Sequence, residues 1–176
     1  MDNLIVINIV EQRLQLFKGD TLAMNVAIAS AKNGMGEQAG SERTPCGWHQ
    51  VRAMIGENAQ TNAVFVGRRT TGEIYSPDLR RAFPNRDWIL TRILWLSGLE
   101  PGKNRLGVVD TMRRYIYIHG CPDEDAMGVP SSHGCVKMRN TDVITLFAAV
   151  KPGAQVFIGE NGLPDDIKKP IFNGSS

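Results

Sequence analysis

The tripeptide His-Gly-Cys occurs twice in this chain, as His119-Gly120-Cys121 and as His133-Gly134-Cys135, and it holds two of the three histidines and two of the three cysteines. Imidazole beside thiol is a pair from which nucleophilic catalysis can be built. A cysteine attacks as its thiolate, and a free thiol with a pKa of about 8.5 is mostly protonated at neutral pH, so it needs a base, positive charge or N–H donors nearby. Around Cys135 the sequence offers all three. His119 is the candidate base, Lys137 and Arg139 add positive charge, and Gly134 lets successive amides turn toward a developing oxyanion. Cys121 is followed instead by Pro122-Asp123-Glu124-Asp125, whose negative charge raises a thiol pKa. Cys135 precedes cations and then a helix, which favour the thiolate. Cys135 is therefore assigned as the nucleophile and Cys121 as a partly buried bystander.

Three other readings of the cluster stand beside this one. Free cysteine is among the most buried residue types, so either thiol alone could simply be packed. His119, Cys121, His133 and Cys135 could bind zinc, although the spacing is His-x-Cys twice and lacks the Cys-x-x-Cys knuckle of structural sites; no metal and no cofactor is assigned. A Cys121–Cys135 disulfide depends on the compartment.

Ser132-His133-Gly134-Cys135-Val136-Lys137-Met138, followed by Asn140 and Asp142 and preceded by Ile118-His119-Gly120, resembles the signature of the L,D-transpeptidase catalytic domain family of bacterial cell-wall enzymes. Thr44-Pro45-Cys46-Gly47-Trp48 is similar to that family's Thr-Pro-x-Gly-aromatic segment, so the resemblance spans the domain. It implies that Cys135 is acylated, that His119 is its base with the Gly120 carbonyl orienting the imidazole, and that His133 lines the site. The amides around Gly134 and Cys135 would form the oxyanion hole. The implied ligand is a peptidoglycan tetrapeptide stem or muropeptide, with carbapenems as acylating inhibitors. One position departs: the family commonly has arginine where Lys137 stands, and a lysine lacks the bidentate fork that suits a carboxylate. Arg139 is the neighbour that could take over.

These residues need a scaffold, and its segments alternate as strands do. Leu4–Val10, Arg13–Phe17, a Lys18-Gly19-Asp20 turn and Leu22–Ala29 predict an antiparallel meander. The stretch 31–47 is glycine-rich and polar, a long loop before a strand at Trp48–Ile55. Ala63–Val66 and Trp88–Leu96 read as strands flanking a helical turn at Asp78–Ala82. Tyr115–His119 is the strand that carries the base, and it sets Tyr117 on the same face as His119, lining the cleft. Asn140 or Thr141 caps a helix to Val150, and Gln155–Ile158 closes the sheet. Ser132 hydrogen-bonds within the Gly-Cys turn, His49 is structural, and Trp48, Trp88 and Trp95 belong to the core. The expectation is a mainly β single domain: a mixed sheet, sandwich or barrel-like, with one or two short helices. The catalytic domain spans 1–160 and a surface tail spans 161–176.

At 176 residues, 42% hydrophobic and 22% charged, the chain can bury a core without disulfides or metal. A net charge of +2 is too mild for nucleic acid. The pairs Arg68-Arg69, Arg80-Arg81 and Arg113-Arg114 read as solvated faces or anionic-substrate contacts. No stretch approaches the roughly 20 apolar residues of a membrane helix. Leu4–Val10 lacks the basic flank and cleavage site of a signal peptide, and an odd cysteine count suits a reducing compartment. The expectation is a cytoplasmic enzyme that removes terminal D-alanine from stem peptides by hydrolysis, with exported cross-linking as the second reading. A reading of another class is a silent, zinc-stabilised peptidoglycan-binding module.

Overall fold

Residues 2–167 are described by a computed structural model of the chain. Strands β1 (Asn3–Asn8), β2 (Arg13–Lys18) and β3 (Thr21–Ala29) form the expected meander. Lys18 pairs with Thr21, so the β2–β3 turn holds only Gly19 and Asp20; Gly19 at φ 57° sits where a type II′ turn needs glycine. Next come β4 (Gly47–Ile55), the hairpin β5 (Ala63–Val66) and β6 (Arg69–Ile74), helix α1 (Pro77–Ala82) and the long β7 (Ile89–Gly98). Then come β8 (Tyr117–Gly120), β9 (Val136–Met138), helix α2 (Asn140–Ala149) and β10 (Gln155–Gly159).

The sheet closes on itself. Strand order β4-β10-β1-β2-β3-β9-β8-β7 is completed by pairing of β7 back to β4, which makes a ring of eight strands. Closure removes open edges from the ring itself. Most neighbours run antiparallel, while β1–β10 and β8–β9 are parallel, so the sheet is mixed. The β5–β6 hairpin hangs outside the ring, attached through Val64 and Phe65 to Leu90 and Ile89 of β7.

Inside the ring, Ile5 and Ile7 of β1, Leu14 and Leu16 of β2, Leu94 and Leu96 of β7, and Val136 and Met138 of β9 form one core with Val143 and Leu146 of α2. Alternation then decides what faces outward. Ile118 points into this core, so Tyr117 and His119 point the other way, and Tyr117 joins Phe65 and Ile93 in a second cluster beneath the hairpin.

Four expectations are corrected. The strand expected over Tyr115–His119 is Tyr117–Gly120, because Tyr115 turns through φ 56° and Ile116 follows it outside the ladder. Strand β6 is mostly polar and has no buried residue, which hides it from a periodicity reading. The three-residue β9 falls where the sequence reads as a turn running into a helix. Asn140 does not cap α2: Arg139 occupies that position without a side-chain bond, and Asn140 turns inward. At the other end of the chain, Leu163 is buried against Val6 and Phe157, so the segment 161–167 begins as part of the wall, and residues 168–176 lie outside the described residues.

Candidate active site

The parallel register of β8 and β9 builds the site. Ile118 pairs with Val136 and His119 with Lys137; carried one residue back, this register sets Cys135 beside Tyr117. The Tyr117 amide donates to the Cys135 sulfur at 3.3 Å, and the thiol in turn donates to the Tyr115 carbonyl at 3.4 Å. The turned conformation of Tyr115 brings that carbonyl to the sulfur. His119 Nδ1 lies 2.6 Å from the Gly120 carbonyl, which can only accept, so the proton is on Nδ1 and Nε2 keeps its lone pair. Cys135, His119, Tyr117 and His133 line one cavity of about 480 Å³, with Arg68 and Asp87 at its wall. His133 is exposed there, while His119 is buried.

Both groups are held in their neutral forms. Burial pushes the Cys135 thiol up to about 12; the Tyr117 amide opposes this, Asp87 adds to it, and Arg114 opposes it. Burial likewise pushes His119 below its ordinary value, with Asp87 and the Gly120 carbonyl pulling the other way. The resting pair is thus thiol and imidazole.

The turn that carries Cys135 is clamped from three sides. Gly134, at φ 137°, leaves space that a Cβ would fill only by meeting Ile116 Cδ1 at 3.1 Å. Its carbonyl accepts from Thr44 Oγ1 at 2.9 Å, and that hydroxyl accepts from the Ala31 amide. Ser132 bonds within the turn, its hydroxyl donating to the Cys135 carbonyl and accepting from the Gly134 amide. The Gly134 amide is therefore engaged inside the turn, whereas the amide that meets the sulfur is that of Tyr117, from the neighbouring strand.

The expected cations lie elsewhere. Lys137 is 9% exposed and its ammonium is 3.2 Å from Asp125, which also holds Arg80 at 2.7 Å. Arg139 reaches the Asp123 carbonyl on the surface. The cation that acts on Cys135 is Arg114, half-buried under a canopy of the Gly36 and Arg43 carbonyls and Ser41 Oγ. Helix α2 begins only after β9, too far along the chain for its first turn to help the thiolate. Cys121 is also pushed up to about 12, but burial is the main cause and the acidic loop is secondary. Its thiol donates to the Met138 carbonyl.

Asn140 packs under the site. Its Nδ2 donates to Asn62 Oδ1, to the Cys121 carbonyl and to Asp123 Oδ1, and its Oδ1 accepts from Thr91 Oγ1 at 2.6 Å. Thr91 stands at φ 74° in the β7 irregularity opposite Gly120, a costly conformation for a β-branched residue. A Cβ on Gly120 would strike Asn140 Oδ1 and the Leu90 carbonyl, so only glycine fits where the imidazole's acceptor is presented. The loop 31–47 also proves to be site architecture, through Thr44 and the Arg114 canopy. The alternatives to a free thiol are not assembled: Cys46, Cys121 and Cys135 are separate thiols, and among the described residues no three His, Cys, Asp or Glu side chains converge on a metal position.

A closed eight-strand barrel with a thiol and an imidazole together on its outer wall, beneath an overhanging hairpin, defines the class of domain. The catalytic domain of L,D-transpeptidases matches residues 2–158, and the chain belongs to that family. Among solved structures it is similar to an L,D-transpeptidase from Mycobacterium smegmatis, at a TM-score of 0.53 and 15% identity over 90% of this chain and 58% of that one. It also resembles an Enterococcus faecium L,D-transpeptidase (TM-score 0.55, 15% identity, 90% of this chain and 50% of that). A third is the E. faecium catalytic domain acylated by ertapenem (TM-score 0.52, 17% identity, 90% of this chain and 97% of that). The chain thus spans about half the length of the two full chains and nearly all of the isolated domain. No curated protein matches the sequence.

Proposed function

We propose that this protein is a cysteine L,D-carboxypeptidase that trims peptidoglycan tetrapeptide stems. One observation carries the reading: Cys135 and His119 line one cavity with an N–H on the sulfur and the imidazole's Nε2 unprotonated. In the proposed cycle the Cys135 sulfur bonds to the acyl carbon at the L-centre of diaminopimelate as its proton passes to His119. The C–N bond to terminal D-alanine then breaks, and the amine leaves with that proton. Water, deprotonated by His119, attacks the thioester; the S–C bond breaks and the proton returns to sulfur. His133 lines the approach, and Gly134 and Ser132 hold the turn. The three free thiols suit a reducing compartment such as the cytoplasm, where soluble stems are substrates for recycling.

The test is to incubate the protein with a disaccharide tetrapeptide and weigh the products. Loss of alanine without dimer supports hydrolysis. Dimer alone supports the second reading, an exported transpeptidase whose acceptor is an amine, a reading favoured by the names of the similar solved structures.

A further inference from the structure

Position 137, where the family commonly presents arginine, cannot hand a free cation to the cleft, because Lys137 is already paired with Asp125. Arg114, in the cleft wall, spends its guanidinium on three oxygens of the 36–43 loop. The remaining cation on this cavity is Arg68, at the tip of the β5–β6 hairpin, and three features set it apart.

The first is how its backbone is set. Gly67 and Arg68 take φ 56° and 65°, so a two-residue turn of the primed kind swings the side chain inward over the barrel wall. The second is how the head group is held. Its central carbon lies 4.8 Å from the Trp95 ring centre and 4.9 Å from that of Tyr115, and the two ring centres are 6.1 Å apart. These distances make a triangle, so the guanidinium rests across both rings without being sandwiched between them, and the far face stays uncovered by the pair. The third is what it lacks: among the described residues its one hydrogen-bond partner is Tyr117 Oη, at 3.1 Å, and no carboxylate pairs with it. A planar fork with one donor committed and its plane fixed by aromatic rings is preorganised for a bidentate oxyanion. The same Tyr117 whose hydroxyl meets Arg68 gives its amide to the Cys135 sulfur, so the two groups are joined through one residue.

We propose that Arg68 is the carboxylate-reading residue of this site, and that it binds the terminal carboxylate of the amino acid that leaves. The identity of that carboxylate rests on the hydrolytic reading above; the recognition of an anion beside Cys135 does not. The hairpin then acts as more than a cover, because it carries the group that distinguishes a chain end from a chain interior. Asp87 lies in the same cavity, and its negative charge makes the cation at Arg68 the more necessary for an anionic ligand.

Two experiments separate these layers. In the first, Cys135 is alkylated with iodoacetate and, separately, with neutral iodoacetamide, and the modified peptide is quantified by mass spectrometry. Iodide leaves and a thioether forms in both, so the ratio of the two rates cancels any change in the thiol itself. Arg68→Gln should lower the iodoacetate-to-iodoacetamide ratio about tenfold, and Arg68→Lys, which keeps the charge without the fork, by less. An unaltered ratio in both variants overturns the proposal. In the second, tetrapeptide ending in D-alanine is compared with its C-terminal carboxamide. The intact protein should prefer the acid through KM, and Arg68→Gln should erase that preference by raising KM for the acid to that for the amide. If the alkylation ratio shifts but the preference for the acid persists, Arg68 reads some other carboxylate and the assignment to the leaving residue falls. Failure of the intact protein to release alanine from the acid or alaninamide from the carboxamide defeats the hydrolytic reading, and the alkylation ratio still decides on Arg68.

Discussion

The backbone amide of Tyr117 points at the sulfur of Cys135 from 3.3 Å, across the junction of two parallel strands. That single donor is outweighed by burial, which leaves the thiol up at about 12. The free protein should therefore react slowly with iodoacetamide at neutral pH. The rate at Cys135 should rise about tenfold for each pH unit between 7 and 10, because the thiolate fraction grows tenfold per unit below its pKa. A plateau already reached below pH 8 would reveal a preformed thiolate–imidazolium pair in place of the neutral one.

Exposure to a carbapenem followed by intact-mass and peptide analysis should place one adduct on Cys135. Cys135→Ala should abolish it and reduce turnover of a tetrapeptide on the order of 10⁴-fold. Cys121→Ala should leave the adduct in place, since that thiol is buried against the Met138 carbonyl. An adduct on Cys121 in the intact protein would remove Cys135 from its role.

His49 is buried on β4, with Nδ1 on the Gly47 carbonyl and Nε2 on Thr111 Oγ1, both at 3.0 Å. Burial lowers its pKa from 6.5 to about 4. Below pH 6.5 the unfolded chain therefore takes up a proton that the folded chain refuses, and stability falls as pH drops from 6.5 toward 4. The full effect is about 3 kcal/mol, since each tenfold change in proton affinity is worth roughly 1.4 kcal/mol. His119, whose pKa is lowered in the same direction, adds to it. Urea midpoints measured at pH 7 and pH 5 should show the loss, and His49→Gln should reduce the difference between them.

Removing the Asn140 side chain leaves Asn62 Oδ1, the Cys121 carbonyl and the Thr91 hydroxyl without their partner in a buried setting. Asn140→Ala should cost about 1–3 kcal/mol in denaturant unfolding. It should also lower activity beyond that cost at temperatures where the protein stays folded, because Asn140 backs the glycine that orients His119. Activity equal to the intact protein's would make Asn140 a purely structural clamp.

Much of the barrel is legible because its strands advertise themselves. Leu14 and Leu16 alternate with polar residues, and Gly19 supplies a turn that few other residues could make. Strand β6, Arg-Thr-Thr-Gly-Glu-Ile, shows no buried face because it is an edge outside the ring, so no periodicity marks it. Strand β9 is too short to carry a period, and its partner is a parallel strand that only the fold brings alongside. Within the site, the meeting of His119 and Cys135 in one cavity follows from residue types, whereas the cations do not. Lys137 and Arg139 are near Cys135 in sequence, but Asp125 and the Asp123 carbonyl claim them in space. Arg68 and Arg114 reach the cavity from loops far along the chain, and their side chains find rings and carbonyls that no local pattern announces. Asn140 has the residue type of a helix cap and is drawn inward by four partners instead.

The β5–β6 hairpin joins the sheet through only two residues of β5, while every strand of the ring is bonded on both sides. Lengthening or rewriting its tip costs the barrel no ladder hydrogen bonds. Descendants of such a protein can therefore reshape the cavity by altering a few codons in this appendage, while the Cys135 thiol stays mounted on an untouched frame.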